Sequence, residues 1–498
     1  MKNKLKRFLT KENILNRKNF IFLSILLLFF IVGFFRFYNL GYSDFQDSER
    51  TTRFILSKGE TWQEFLLDQR KGPLQFLITI IPLSITQDPI NELALRLPFS
   101  ISNFLSFVVL YLIIYKLTKS HLASFLSVGV LSVNGFLVGF GRIAQYQSLN
   151  ILFSFLAILF TVHLSQTKSR YKLFSFLAGS CYGISFLAHW DAIYYSPFLI
   201  FFGICFLRRK DLSFIHKTIN TLIIIASFLL FLLPFLIPYV QKLTGPNSSN
   251  LDYLNTRMGV SGSEVSRHYE IFKLYNPFIT EYFYILGLIF AFLFFRKTTP
   301  FIIWTAISFL AIKFLMTTPK THIYNYLIPL SITSSLGFYY IFVFFKNKSQ
   351  KIFKAISFLI GTIIFLFYTF LIYQSYVLFI DTQPEYPWNS KKVLWFKAPE
   401  IKSDEVITFG FPYFRNFDEV REVMLEDCFY QSNESKSITQ IYVKSKWGVS
   451  KKCFYYIMIE DPFNLDGKGV IYPGLTERKK VFEYTQNGQA QTQVFKLK

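Results

Sequence analysis

The sequence predicts a polytopic α-helical membrane protein that ends in a small extracytoplasmic α/β domain. Three observations carry that expectation. Of 498 residues, 52% are hydrophobic and 20% aromatic, with 62 Phe. The apolar residues come in runs that approach roughly 20 residues, the length a helix needs to cross a bilayer. Basic residues collect in alternate short loops, the positive-inside pattern. The runs predict about eleven transmembrane helices within 1–380, with interfacial helices in the first outer loop, and a soluble unit over 381–498.

The charges orient the chain. Segments 1–19, 116–120, 166–172, 208–217, 296–297 and 346–354 hold 22 Lys/Arg and two acids, Glu12 and Asp211. Placing these on the cytoplasmic side makes the N-terminus cytoplasmic and the tail extracytoplasmic, in a cytoplasmic (inner) membrane. A nucleic-acid-binding face would not skip every second loop, so the net charge of +22 is a topology signal, not a sign of a nucleic acid partner. Attraction to anionic membrane lipids is a by-product of the same charges.

The elements follow in order. Met1–Lys18 is basic and Phe20–Tyr38 apolar. The run is too long for a signal peptide and no small-residue cleavage site follows, so it reads as a first span, with Arg36 free to snorkel. In loop 39–72, Glu49–Leu67 reads as an amphipathic helix whose Phe54, Ile55, Trp62, Phe65 and Leu66 could lie on the membrane. Pro73–Thr86 is apolar but too short to span. Further spans read as 99–115, 122–138, 149–164, 173–188, 192–207, 219–239, 278–295, 301–316, 324–345 and 356–380. Loops 139–148, 189–191, 241–275 and 317–323 then fall outside with 39–72.

The tail has 17 Lys/Arg and 16 Asp/Glu. Val406–Gly410, Ile438–Val443 and Phe454–Ile459 read as strands and Asn416–Leu425 as a helix. Cys428 and Cys453 lie outside, where a disulfide can form, whereas Cys181 and Cys205 lie in spans and read as packing residues. No period of 20–50 residues appears, which excludes a repeat array.

The outer loops hold the polar residues that composition does not explain: Asp44, Asp47, Glu49, Arg50, Lys71, Arg142, His189, Asp191, Lys320 and His322. Acids and bases at one interface suit a reaction on an anionic, membrane-held substrate. Each has a plainer reading. Asp44 and Asp47 can cap a helix. Arg50 and Arg53 can pair with Glu49 or Asp47 on a solvated face, at roughly 0–1 kcal/mol per pair. Lys71 can be an interfacial lysine, Arg96 a snorkelling anchor and His189 a packed residue at a helix end. Only the joint arrangement points to chemistry.

That arrangement resembles the C-type membrane glycosyltransferases, in the protein O-mannosyltransferase and lipid A aminoarabinose-transferase branch. The matching stretches, in order over 20–345, are Asp47-Ser48-Glu49-Arg50, Lys71-Gly72-Pro73-Leu74, Arg96-Leu97-Pro98-Phe99, Gly141-Arg142-Ile143-Ala144 and Thr318–Tyr324 followed by Leu327-Ile328-Pro329. The chain departs from the family pattern at Ser48, where Glu is usual, at Gly72, where Pro is usual, and at His189-Trp190-Asp191. The resemblance implies a sugar donor linked to polyprenyl phosphate, used on the outer face with inversion, and a lipid, glycan or protein acceptor.

A carboxylate must take the acceptor's proton, and Asp47 is the first candidate, with Asp44 and Glu49 behind it. Arg50, Lys71 and Arg142 are candidates to hold the donor phosphate, followed by Lys320 and His189. No cofactor is required. A divalent metal is neither required nor excluded: Asp44, Asp47, His189, Asp191 and His322 could approach one another, but no short-range ligand spacing appears. No nucleotide-binding glycine loop is present, consistent with a lipid-borne donor. The other readings are a polymerase or ligase using a pyrophosphate-linked glycan, and a lipid-sugar transporter. The latter usually shows repeated halves, which this sequence lacks.

Overall fold

The structure, a computed structural model, describes residues 2–46, 49, 51–244, 263–388, 391–398, 409–450, 452–463, 470, 472, 474–475 and 478–497, with side chains from Lys18 onward. Among the described residues, eight helices are long and apolar enough to cross a membrane, or nine if Val265–Tyr275 and Thr280–Leu293 are one bent span. The apolar runs predict eleven, and three local features account for the difference.

Residues 122–138 do not form one helix. Helix α6 (His121–Ser132) stops at Val133, and α7 (Gly135–Phe140) restarts on Asn134, whose side chain accepts from the Phe136 N–H at 3.0 Å. The run at 278–295 is shortened to Thr280–Leu293 and turns by 115° from the helix before it. Residues 173–188 do form a helix, α9 (Tyr171–Ala188), but its buried Gly179, Ser180, Gly183 and Ser185 dilute its apolar character. Those small residues serve packing. A Cβ at Gly179 would lie 2.1 Å from Ser227 Oγ and 2.2 Å from Ile224 O of α11 (Phe214–Leu243). Between helices in lipid, such close backbone approach replaces the missing hydrophobic drive.

The bundle presents apolar side chains outward. Phe20, Phe214 and Phe358 are 72%, 81% and 77% exposed, as lipid-facing residues should be. Arg36 does not snorkel. It is wholly buried and donates to Asn103 Oδ1 (3.0 Å) and the Ser132 carbonyl (2.6 Å), tying α1 (Lys2–Phe37) to α5 (Glu92–Thr118) and α6.

The first loop is less helical than its pattern predicts. Among the described residues of 49–67 the α-helix is confined to α2 (Trp62–Asp68), started by a capping box between Thr61 and Glu64. Phe65 turns inward onto Phe54 and Phe76, and Trp62 stays exposed. The next segment is two short helices, α3 (Leu74–Leu77) and α4 (Ile80–Thr86), and not a span.

The tail builds a five-stranded sheet in the order β4-β3-β5-β7-β6, from β3 (Phe429–Ser432), β4 (Lys446–Trp447), β5 (Phe454–Ile459), β6 (Lys479–Gln486) and β7 (Gln489–Lys496). A small hairpin, β1 (Lys392–Val393) and β2 (Phe396–Lys397), precedes it. Strand β3 is parallel to both its neighbours, and β5, β7 and β6 are antiparallel. Phe454–Ile459 is the expected strand and Phe417–Val423 the expected helix. Ile438–Val443 is not a strand: Lys436–Tyr442 is helical, because Ile438, Thr439 and Tyr442 share one buried helical face. Most of the expected strand at 406–410 lies outside the described residues. Cys428 and Cys453 form a disulfide. Cys181 is buried as expected, but Cys205 is exposed on the bundle surface.

The tail is not packed as a separate body. Tyr386, Val393, Phe409 and Phe411 join the core of the bundle. Conversely Phe45 and Leu95, from the first loop and α5, join the tail's own core with Tyr413, Phe417 and Tyr442. The tail therefore clamps the end of the bundle that carries the first loop.

Candidate active site

The first loop is held by one buried ion pair. Arg96, in the first turns of α5, donates from Nε to Glu49 Oε1 (2.8 Å) and from Nη2 to Oε2 (2.9 Å). The same guanidinium donates to the carbonyls of Leu40, Ser43 and Asp44. Glu49 also accepts from the backbone N–H groups of Gln46 (2.9 Å) and Ala144 (2.8 Å). Four donors fill both carboxylate oxygens. Glu49 is thus a fixed anchor and not a base, and Arg96 is no snorkelling anchor. Gln46 is fixed as firmly: its amide accepts from Gly410 N–H (2.8 Å) and donates to the Phe411 carbonyl (2.5 Å). Asp47, Ser48 and Arg50 themselves lie outside the described residues.

Asp44 is also removed from a catalytic role. Its carboxylate is buried under the tail and accepts from the Arg415 N–H at 2.5 Å. Burial, and then the neighbouring Glu92, push its carboxyl well above the usual carboxylate range. The folded state therefore holds this proton more tightly than the unfolded chain does. Its contribution to stability falls as pH rises from the unfolded value of 3.8 through the higher folded one. Asp44→Asn is expected to flatten that loss, about 1.4 kcal/mol per pH unit within the window, and to match the wild type below it. Denaturant melts of the solubilised protein at pH 3.5 and 7 check this. Arg142 braces the chain as well. It is 8% exposed and donates to the carbonyls of Phe35, Tyr38 and Asn39, which close the end of α1.

A second cluster gathers residues from four segments. Gly72 runs against the end of α9, so close that a Cβ there would lie 2.1 Å from the Leu187 carbonyl oxygen and 2.8 Å from that of Ala188. This approach brings Lys71 Nζ over the ring of Tyr146, 5.4 Å from its centroid. His189 stacks on Tyr146 at 3.8 Å. His189 ends α9 and caps the 3₁₀ turn Trp190–Tyr195, where its Nδ1 accepts from the Asp191 N–H. Asp191 faces the 3₁₀ turn Lys320–Ile323: His322 Nδ1 lies 2.9 Å from Oδ2, and the Tyr324 hydroxyl donates to the same oxygen at 2.9 Å. Lys320 shares that turn with a left-handed backbone, φ +42°. Burial is the main force that holds the His189 imidazole below its ordinary value. Asp191 opposes that shift, and Lys71 and His322 reinforce it.

Of the sequence candidates, then, the structure brings Lys71, His189, Asp191 and His322 together and adds Tyr146 and Tyr324. It sets Asp44, Glu49 and Arg142 apart as framework. Tyr146 and Tyr324 carry no sequence signal beyond standing near Arg142 and His322. Gly72 explains its own departure from the family pattern. Gly72→Ala is expected to push the first loop off the end of α9, at a cost of about 1–3 kcal/mol of stability, and to lower transfer about 10- to 100-fold, measured as kcat on the solubilised enzyme beside its melting temperature.

The chain resembles known proteins both in sequence, over one segment, and in fold. Residues 70–237, a third of the chain, match the family "Dolichyl-phosphate-mannose-protein mannosyltransferase". The fold of nearly the whole chain is shared with ArnT from Cupriavidus metallidurans. The apo structure gives a TM-score of 0.55 at 11% identity, over 97% of this chain and 98% of that one. The structure bound to undecaprenyl phosphate gives 0.54 at 9%, over 96% and 98%. The S. cerevisiae protein O-mannosyltransferase Pmt1–Pmt2 complex bound to its sugar donor gives 0.35 at 11%, over 44% and 33%. No curated protein matches by sequence. The matched segment includes Lys71, Arg96, Arg142, His189 and Asp191, and the shared fold extends over both bundle and tail. The chain is a multi-pass helical membrane protein with the fold of ArnT.

Proposed function

We propose that the protein moves a sugar from a polyprenyl-phosphate-linked donor to an acceptor hydroxyl on the extracytoplasmic face of the cytoplasmic membrane, with inversion. The observation that carries this reading is the placement of Lys71. It stands at the bundle end clamped by the tail, beside a polar cluster that borders an apolar groove. The groove measures about 700 Å³ and runs between α10 (Ser196–Leu207) and the Phe295–Leu315 helix, lined by Ile193, Tyr194, Ile200, Ile204, Ile307 and Leu315. Ile193 and Tyr194 belong to the same turn as Asp191. A polar cluster with an ammonium, continued by an apolar groove, suits a ligand with an anionic head and a hydrocarbon tail.

In this reading Lys71 and Arg50 neutralise the phosphate that leaves as the glycosidic C–O bond breaks. Asp47 takes the proton of the acceptor hydroxyl as its oxygen bonds to the anomeric carbon from the opposite side. Gln46 and Glu49, the nearest described residues on either side of Asp47 in the sequence, are both held by hydrogen bonds. An undecaprenyl phosphate in the ArnT structure of the same fold supports the donor class.

The test is a donor series on the purified protein with envelope lipid, glycan and protein acceptors. Transfer is expected from polyprenyl monophosphate sugars and not from nucleotide sugars. Transfer from a polyprenyl pyrophosphate oligosaccharide alone would overturn the proposal in favour of a polymerase or ligase.

A further inference from the structure

The hairpin β1–β2 ends in a tip that the rest of the tail does not cover. Leu394, Trp395 and Phe396 follow one another and are 51%, 76% and 37% exposed. We infer that this tip is a membrane anchor: it inserts Leu394 and Trp395 into the headgroup region of the leaflet on the tail's side of the bundle, and its partner is phospholipid rather than protein.

Position is the first argument. The hairpin is pinned to the end of the Lys351–Phe379 helix, the last of the candidate spans in the sequence. Lys391 Nζ donates to the Asp381 carbonyl at 2.7 Å and pairs with Asp381 Oδ2 at 3.1 Å, two residues past that helix. Val393 and Ala398, on either side of the tip, are buried in the core of the bundle. Phe396 lies against Phe278, with ring centroids 5.6 Å apart, just before the Thr280–Leu293 helix begins. The Phe278 N–H in turn donates to Gln374 Oε1 of the last span. The tip therefore stands where two membrane helices end, at a fixed height.

That height is the level of the headgroups. Tyr282 in the first turn of Thr280–Leu293 is exposed on the bundle surface, as are Tyr373 and Tyr376 in the last two turns of Lys351–Phe379. Tyr38, just beyond α1, is exposed as well, and Phe34 stacks on both Tyr38 and Tyr376. A girdle of exposed tyrosines at helix ends is the aromatic belt that marks a membrane–water interface. Trp395 joins that belt from the tail.

Composition is the second argument. A tight hairpin turn in water is normally built from Gly, Asn or Asp. The turn between β6 and β7 follows that rule with Asn487-Gly488, at φ +54° and +78°. The turn between β1 and β2 instead places Leu394 in the left-handed region, at φ +55°, and follows it with Trp395. Tryptophan suits the headgroup region, with an apolar body and one N–H. Lys392 and Lys397 stand opposite each other across the hairpin and bring positive charge to the level of the lipid phosphates. The tip is also too small for a protein partner. Three side chains of at most about 250 Å² each fall short of the roughly 800 Å² per partner that a stable protein interface buries.

The test uses the full-length protein in nanodiscs of phosphatidylethanolamine and phosphatidylglycerol, with and without bromine on the acyl carbons nearest the headgroup. Subtracting the emission of Trp395→Phe from that of the wild type isolates Trp395 from the other tryptophans. That component is expected to lose most of its intensity in brominated lipid and little to acrylamide in the water. Loss to acrylamide with none to bromine would place the tip in water and overturn the anchor. Protection from both quenchers would place the tip against protein, a second copy included, and overturn it equally. Leu394→Asp is expected to reverse the wild-type pattern, because a carboxylate at the tip is expelled from the interface. An unchanged pattern in that variant would show that the bundle alone sets the depth and that the tip anchors nothing. None of these readouts needs a sugar donor or an acceptor, so each outcome leaves the transferase reading standing.

Discussion

Asp47→Asn is expected to abolish sugar transfer, with a loss of about 10²–10⁴-fold in kcat, while the protein inserts, purifies and melts as the wild type does. The argument is by position and by elimination. Three carboxylates in the first loop qualify by sequence. Glu49 has both oxygens filled by Arg96 and by the N–H groups of Gln46 and Ala144. Asp44 is sealed beneath the tail against the Arg415 N–H. That leaves Asp47, flanked by the two most firmly fixed residues of the loop. The substitution preserves size and removes the ability to accept a proton, so binding of donor should survive. Single-turnover assays with saturating donor separate the two effects. Wild-type transfer by Asp47→Asn would show that another group takes the proton.

The sequence made the class of fold legible because apolar runs and loop charges are each read one segment at a time. Its errors arose where one segment's state depends on another. α9 is rich in Gly and Ser because α11 lies on it, so it does not pass as an apolar span on its own composition. The run at 122–138 breaks at Asn134, a polar residue inside an apolar stretch that caps a new helix. The same holds for the site. Lys71 and His189 stood out as polar residues at membrane boundaries. Nothing local could show that Glu49 would spend its charge on Arg96, 47 positions away, or that Asp191 would meet His322 across 131. Sequence alone reads Arg36 as snorkelling to the interface and Arg142 as facing the donor phosphate, because isolated arginines near membranes usually do one or the other. In the fold, both are consumed by main-chain carbonyls at helix ends.

Arg96→Met is expected to cost about 3–5 kcal/mol of stability, the largest effect of any single substitution in the framework. Arg96 and Glu49 are 1% and 0% exposed, so neither charge can be hydrated when the other is removed. The variant strands a buried carboxylate and also leaves the carbonyls of Leu40, Ser43 and Asp44 without their donor. Glu49→Leu in the same background removes the stranded charge. Since a buried pair is often no more stable than the apolar residues that replace it, the double variant should recover much of the loss. It should not recover activity, because Glu49 also joins the first loop to the N–H of Ala144. A double-mutant cycle on unfolding, run beside the transfer assay, tests both parts. Additive single costs would show that the two charges do not depend on each other. Full activity in the double variant would show that the clamp stabilises the loop without positioning the base.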